Sequence, residues 1–150
     1  MTPAERLKAA GRLFLDTAPV IYYVEANPRY VGKIQECFDR LDSGSLTAVV
    51  SPITLAECLV RPPEMGRQDL AQAFQDLLTA GPTTEFVGID HEAAGEAAEL
   101  RAKYGIPLLD AFQMALALTT HCEAFLTNDL ILKRVGDIDV IVIDEVNEKS

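Results

Sequence analysis

Arg12-Leu13-Phe14-Leu15-Asp16-Thr17-Ala18-Pro19-Val20-Ile21-Tyr22-Tyr23 is the stretch that decides the fold. Arg12 to Leu15 is a short, mostly apolar run with the length and character of a buried strand. A solitary carboxylate, Asp16, closes the run, and a helical stretch from Ala18 to Glu25 follows. A strand feeding a helix opens a βαβ unit. A charge at such a junction is costly, because removal from water disfavours the ionised form.

The arrangement recurs along the chain. Glu57 follows Ile53-Thr54-Leu55-Ala56, Asp110 follows Ile106-Pro107-Leu108-Leu109, and Asp129 comes shortly after Phe125-Leu126. Two unit charges about 5 Å apart repel by roughly 3 kcal/mol at an effective dielectric of about 20. If all four acids converge, full ionisation costs on the order of 20 kcal/mol before relaxation. That exceeds the roughly 5–15 kcal/mol by which a whole domain is stable. Convergence would therefore require retained protons or a divalent cation.

Outward from the opening stretch, aliphatic runs alternate with longer helical ones. Strands are expected at Arg12–Leu15, Leu46–Val50, Glu85–Ile89, Ala124–Leu126 and Asp139–Ile143. Helices are expected over Ala18–Glu25 and Arg29–Leu41. Ser51-Pro52 opens another, which carries Glu57 and ends at Arg61-Pro62-Pro63. Further helices are expected over Arg67–Leu78, over Glu92–Tyr104 between Asp90 and Gly105, and from Leu108 to Thr120, with a short one over Asn128–Val135. The pattern predicts an α/β fold, a three-layer α/β/α sandwich around a mostly parallel sheet of about five strands. Ligands of such sheets bind beyond the carboxyl ends of the strands. Asp16, Glu57 and Asp129 fall at that edge, and Asp110 joins them if its helix N-terminus points there.

At 150 residues, without repeats, low-complexity tracts or long linkers, residues 1–150 read as one domain. A hydrophobic fraction of 49% excludes a disordered chain. No apolar run approaches the length of a bilayer span, so no membrane association is expected. Met1 to Ala10 is polar, carries Glu5, Arg6 and Lys8, and does not read as a signal peptide. Three widely spaced cysteines, Cys37, Cys58 and Cys122, fit a reduced, cytoplasmic protein. A net charge of −10 argues against nucleic-acid binding through the overall field, but not against metal-assisted engagement of a phosphodiester at one site.

Four segments, Leu15-Asp16-Thr17-Ala18-Pro19-Val20-Ile21-Tyr22-Tyr23, Thr54-Leu55-Ala56-Glu57, Leu108-Leu109-Asp110-Ala111 and Leu126-Thr127-Asn128-Asp129, together resemble the PIN-domain ribonuclease pattern in its order. The resemblance covers nearly the whole chain and is nearest to stand-alone toxins of the VapC type. It implies a small nuclease domain whose acidic pocket binds Mg²⁺ or Mn²⁺. Oxygen-only ligation suits such hard cations on its own account. On the resemblance, Asp16, Asp110 and Asp129 are the metal ligands, Glu57 completes the catalytic acids, and Thr17, Thr127 and Asn128 support them. It further implies an RNA substrate, a homodimer and an inhibitory antitoxin partner. One departure stands out: many relatives carry another acid after Thr-Asn-Asp, where this chain has Leu130-Ile131-Leu132.

Plainer readings compete for several residues. Glu57 and Arg61 have the spacing of a helix ion pair worth a few tenths of a kcal/mol. Asn128 and Thr17 each suit a helix N-cap. Glu92, Glu96 and Glu99 look like a solvated helix face, and Asp144 and Glu145 are minor candidates for supporting the site. His91 and His121 lack ligand-spaced partners, and Cys58 lacks a histidine partner. A dehalogenase-type phosphatase needs a second Asp where Ala18 stands. A phospho-receiver needs a paired acid near the first strand and a lysine after a late one. The remaining alternative is a PIN-like scaffold that binds RNA or a protein without cutting. For RNA contacts the candidates are Arg29, Lys33, Arg61, Arg67, Arg101, Lys103, Lys133 and Arg134.

Overall fold

The computed structural model describes residues 1–147. Thr2 caps the first helix, α1 (Pro3–Ala9), by accepting the Glu5 N–H. Then follow β1 (Arg12–Leu15), α2 (Thr17–Val24), α3 (Val31–Ser43), β2 (Thr47–Val50), α4 (Pro52–Glu64), α5 (Gln68–Ala80) and β3 (Thr84–Phe86). The second half contains α6 (His91–Tyr104), α7 (Leu108–Thr119), β4 (Ala124–Thr127) and β5 (Asp139–Val142). Single 3-10 turns lie at Leu130–Arg134 and Ile143–Glu145.

The five strands are all parallel, in the order β3-β2-β1-β4-β5. Side chains alternate along each strand and so fill two separate cores. Leu13, Leu15, Ala48, Val50, Leu126 and Ile141 pack on one face with Ile34 and Phe38 of α3 and Phe74 and Leu78 of α5. Phe14, Val49, Phe125, Val140 and Val142 pack on the other with Ala97 and Leu100 of α6 and Met114 and Ala115 of α7. Double-sided burial is why the strands read as apolar runs. The predicted three-layer α/β/α arrangement is thus the observed one.

The strand order places a topological switch between β1 and β4. From β1 the chain moves one way across the sheet through β2 and β3, then returns to lay β4 on the other side of β1. A crevice opens at the carboxyl ends of two such strands. Asp16 lies just beyond β1 and Asp129 just beyond β4.

Several boundaries differ from the sequence reading. Helix α1 was not anticipated; it is short, and it becomes ordered by burying Leu7 against the first core. Helix α4 continues through Pro62 and Pro63 to Glu64. Pro62 is buried there, and the closing carbonyls of Arg61, Pro62 and Pro63 accept from Met65, Gly66 and Arg67. Strand β3 is shorter and earlier than Glu85–Ile89, as an edge strand paired only with β2. The expected helix over Asn128–Val135 is a 3-10 turn. Gly105 ends α6 as read, with φ of 67° in the left-handed region that suits glycine.

Phe14 and Phe125 stack across β1 and β4 with ring centroids 5.2 Å apart, and both are fully buried. Phe125→Ala is expected to lower unfolding stability by about 3–5 kcal/mol through lost burial and a cavity, with Phe125→Leu much milder. Urea unfolding of the two variants checks this.

Candidate active site

Asp16 is the N-cap of α2. Its own N–H donates to Leu126 O at 3.0 Å, continuing the β1–β4 ladder by one residue. One carboxylate oxygen accepts the Thr17 N–H at 2.9 Å, and the other accepts the Thr127 hydroxyl at 2.8 Å. Thr127 Oγ1 in turn accepts the Asp129 N–H at 3.1 Å. One buried hydroxyl therefore links the acid after β1 to the acid after β4. Asp129 turns its own carboxylate to the Ile131 N–H at 3.0 Å and caps the 3-10 turn.

Glu57 stands exposed on α4, where its Oε1 accepts the Thr17 hydroxyl at 2.6 Å. Thr17 is thus not a helix cap; Asp16 holds that place, and Thr17 ties Glu57 to the cluster. Nor does Glu57 pair with Arg61. Arg61 reaches Glu25 at 3.7 Å instead, a long pair whose arginine is exposed and whose energetic weight is small. Asn128 is not a cap either: its amide N–H donates to the Tyr22 hydroxyl at 3.1 Å, and its carbonyl accepts the Asp144 N–H at 2.9 Å. Asp144 meets the site through its backbone N–H, while Glu145 pairs with Lys133 at 3.0 Å.

Asp110 lies in the first turn of α7, where the helix dipole favours an acid. Even so, its carboxyl is pushed up to about 6. Loss of water is the main cause, and the nearby charges of Asp16, Asp129 and Glu57 add to it. Burial likewise raises Asp16, against the pull of its bonds from Thr127 and Thr17, with Glu57 and Asp129 pushing the same way. The charges of Glu57 and Asp129 thus bear on both Asp16 and Asp110, and that of Asp16 bears on Asp110. No ion pair among the described residues neutralises any of them.

One supporting residue escapes sequence reading. Gln113 on α7 is buried, donates to Thr54 Oγ1 of α4 at 2.8 Å, and accepts from the Ser51 hydroxyl. Ser51 also caps α4 by accepting the Ile53 and Thr54 N–H groups. Thr54 is three residues before Glu57 and Gln113 three after Asp110, so this clamp fixes the two acid-bearing helices to each other. The available signal was Gln113 itself, the one polar residue in the run Ala111–Ala117.

Among the described residues, no group of three or more His, Cys, Asp or Glu side chains stands in ligating geometry. The donor chemistry of the cluster is nevertheless that of a hard-cation site: carboxylates and hydroxyls, with no imidazole or thiolate contacting them. His91 and His121 are exposed. The thiols of Cys37 and Cys58 are pushed up to about 12 by burial, so both are core residues rather than nucleophiles. No helix among the described residues is long and apolar enough to cross a membrane.

A family profile of the PIN domain matches residues 13–138. The chain belongs to the PIN-domain family. No curated protein matches it significantly. The structure is similar to VapBC2 of Rickettsia felis bound to a promoter DNA fragment, with TM-score 0.68 and 18% identity over 86% of this chain and 96% of that one. It is also similar to the DNA-bound VapBC complex of Salmonella typhimurium, with TM-score 0.69 and 19% identity over 88% and 98%. A third likeness is to VapC20 of Mycobacterium tuberculosis, a toxin that cleaves the sarcin-ricin loop, with TM-score 0.63 and 14% identity over 75% and 86%. At these identities the likeness establishes a shared fold.

The raised Asp110 carboxyl has a consequence for stability. The folded PIN domain holds that proton more tightly than the unfolded chain, whose carboxyl has the ordinary value of 3.8. Its contribution thus favours folding below about pH 4 and is lost as pH rises through about 6. In chelator, Asp110→Asn should melt progressively higher than the parent across that interval. The gain near neutrality should be a few degrees, on the order of 1–2 kcal/mol after allowance for partial exposure. Thermal melts of both proteins across the pH range check this; a variant less stable near neutrality would give Asp110 a structural role.

Proposed function

We propose that this PIN domain is a divalent-metal-dependent endoribonuclease, the toxin of a toxin–antitoxin pair. The observation that carries the reading is that hydrogen bonds through Thr127 and Thr17 link Asp16 to Asp129 and Glu57 beyond the β1/β4 edge, that the charges of these acids help raise the Asp110 carboxyl, and that no ion pair among the described residues engages any of the four. Such an arrangement costs stability and is retained where a cation is to be bound.

Asp16, Asp110 and Asp129 would hold Mg²⁺ or Mn²⁺. When bound, the cation supplies ionisation of the attacking water and stabilises charge developing on the phosphoryl oxygens. The chain's own residues set the geometry. The Thr17 N–H and the Thr127 hydroxyl restrict the Asp16 carboxylate to one orientation, and Thr17 Oγ1 holds Glu57 at the rim. Glu57 is exposed, and in this reading it helps to orient the attacking water. Asn128 supports the loop that carries Asp129.

The second reading is a PIN scaffold that binds without cutting. It is favoured by Leu130 and Ile131, 58% and 47% exposed in the segment after Thr-Asn-Asp where many relatives carry a further acid. The retained four-acid cluster favours catalysis.

Cleavage of a structured RNA should appear with Mg²⁺ or Mn²⁺ and vanish in chelator. Asp16→Asn keeps a capping oxygen for the Thr17 N–H, and with Asp110→Asn it should lower turnover by about a hundredfold or more. Undiminished cleavage in chelator would remove the metal mechanism, and parental turnover by either variant would remove that residue from it.

The assembly proposed is a homodimer held by an antitoxin that lays a basic segment over the acids. A guanidinium can pair bidentately with carboxylates that otherwise hold metal. Neutralising Glu57 or Asp129 should then weaken antitoxin affinity about tenfold, by direct binding measurement. Unchanged affinity would place the main antitoxin contacts elsewhere.

A further inference from the structure

Tyr22 stands on α2, six residues beyond Asp16, and its hydroxyl accepts from the side chain of Asn128, the residue just before Asp129. Its ring stacks on Tyr30 with centroids 4.1 Å apart and planes 13° from parallel. The Arg29 guanidinium lies over the Tyr30 ring, 5.1 Å from its centroid. A ladder therefore leads from the acidic cluster through two half-buried, stacked tyrosines to an exposed cation.

The ladder is preformed. The Asn27 side chain accepts the Arg29 N–H at 2.9 Å, and the Asn27 carbonyl accepts from Tyr30 and Val31. The Asn27 N–H donates back to Tyr22 O at 2.8 Å, so the turn between α2 and α3 is tied to Tyr22 itself. The molecule's other tyrosine stack serves as a contrast. Tyr23 lies against Phe38 at 3.9 Å, and Phe38 is buried in the core. The Tyr22–Tyr30 stack instead ends in Arg29.

The other cations considered for RNA are mostly committed. Arg61, Arg67, Lys103 and Lys133 are in ion pairs, while Lys33 and Arg101 donate to backbone carbonyls. Arg29, like Arg134, joins no ion pair among the described residues, and of the two only Arg29 lies over an aromatic ring, in a chain of net charge −10.

We propose that Arg29, Tyr30 and Tyr22 form a base-stacking platform for single-stranded RNA, which seats a nucleobase next to the phosphodiester entering the acidic cluster. The substrate class rests on the ribonuclease reading above; the platform rests on the stack. Nucleobases unstacked from a duplex lie flat on aromatic rings and guanidinium planes, while a guanidinium's edge reaches phosphate oxygens. A duplex hides its base faces, so the platform selects single strands. The tyrosine-to-Asn128 bond sets the distance between the seated base and Asp129.

The test is fluorescence anisotropy in the Asp16→Asn background with Mg²⁺, using labelled oligoadenylate and an abasic ribose-phosphate strand of equal length. Arg29→Ala should weaken oligoadenylate binding about tenfold and abasic binding far less. Arg29→Lys should retain abasic affinity while losing most of the preference for bases. A merely structural role of Arg29 would not separate the two strands. The proposal is overturned if both variants bind both strands like the parent, if losses are equal on the two strands, or if the parent does not bind oligoadenylate. The expected pattern together with no cleavage by the wild-type chain would remove the nuclease reading and leave the platform standing.

Discussion

The register of β1 against β4 sets Leu15 opposite Leu126, and it thereby brings Asp16 level with Thr127 at the edge of the sheet. The Asp16 N–H carries the ladder one step further, to Leu126 O. From that contact the Thr127 hydroxyl reaches Asp16 on one side and receives the Asp129 N–H on the other. A slip of β4 by one residue against β1 would turn Leu126 to the opposite face and take the Thr127 hydroxyl away from the acid. Both cores specify this register, since each face of the sheet is buried. The hydrophobic packing that stabilises the PIN domain is therefore also what positions its charges.

Those charges oppose the packing that assembles them. Uncharged partners hold them: a hydroxyl and an N–H for Asp16, a hydroxyl for Glu57, an N–H for Asp129. Hydrogen bonds of this kind orient a carboxylate without cancelling its field on its neighbours. Asp110 shows the result in its raised carboxyl. A salt bridge from Arg61 would relieve the cluster, and the structure gives Arg61 to Glu25 instead. The region is thus left electrostatically frustrated, a pattern that marks functional sites when the rest of a fold is locally consistent.

Rigidity comes from outside the acids. The Ser51–Gln113–Thr54 clamp fixes α4 to α7 in the interior, where a polar network fully satisfied specifies one arrangement of the elements it joins. Around the outer side, the Asn27 turn and the Tyr22–Tyr30 stack fasten the end of α2 to Asn128. The acids are held between an inner clamp and an outer brace.

The sequence by itself determined the element order, the double-sided burial of the strands and the position of each acid at the end of an apolar run. These are local properties: apolar run length, capping residues and glycine stops such as Gly105 act within a few positions. The resemblance of four short segments to the PIN pattern placed the acids in one family's order. Tertiary structure alone decided that α7 turns Asp110 toward the acids beyond β1 and β4, that Gln113 rather than a charged residue joins the helices, and that Arg61 serves Glu25. It also decided that α4 continues through Pro62 and Pro63, where the Pro62 ring is buried and Met65, Gly66 and Arg67 donate to the closing carbonyls. Each of these depends on partners distant in sequence, and strand register and helix packing bring such partners together only once both cores have closed.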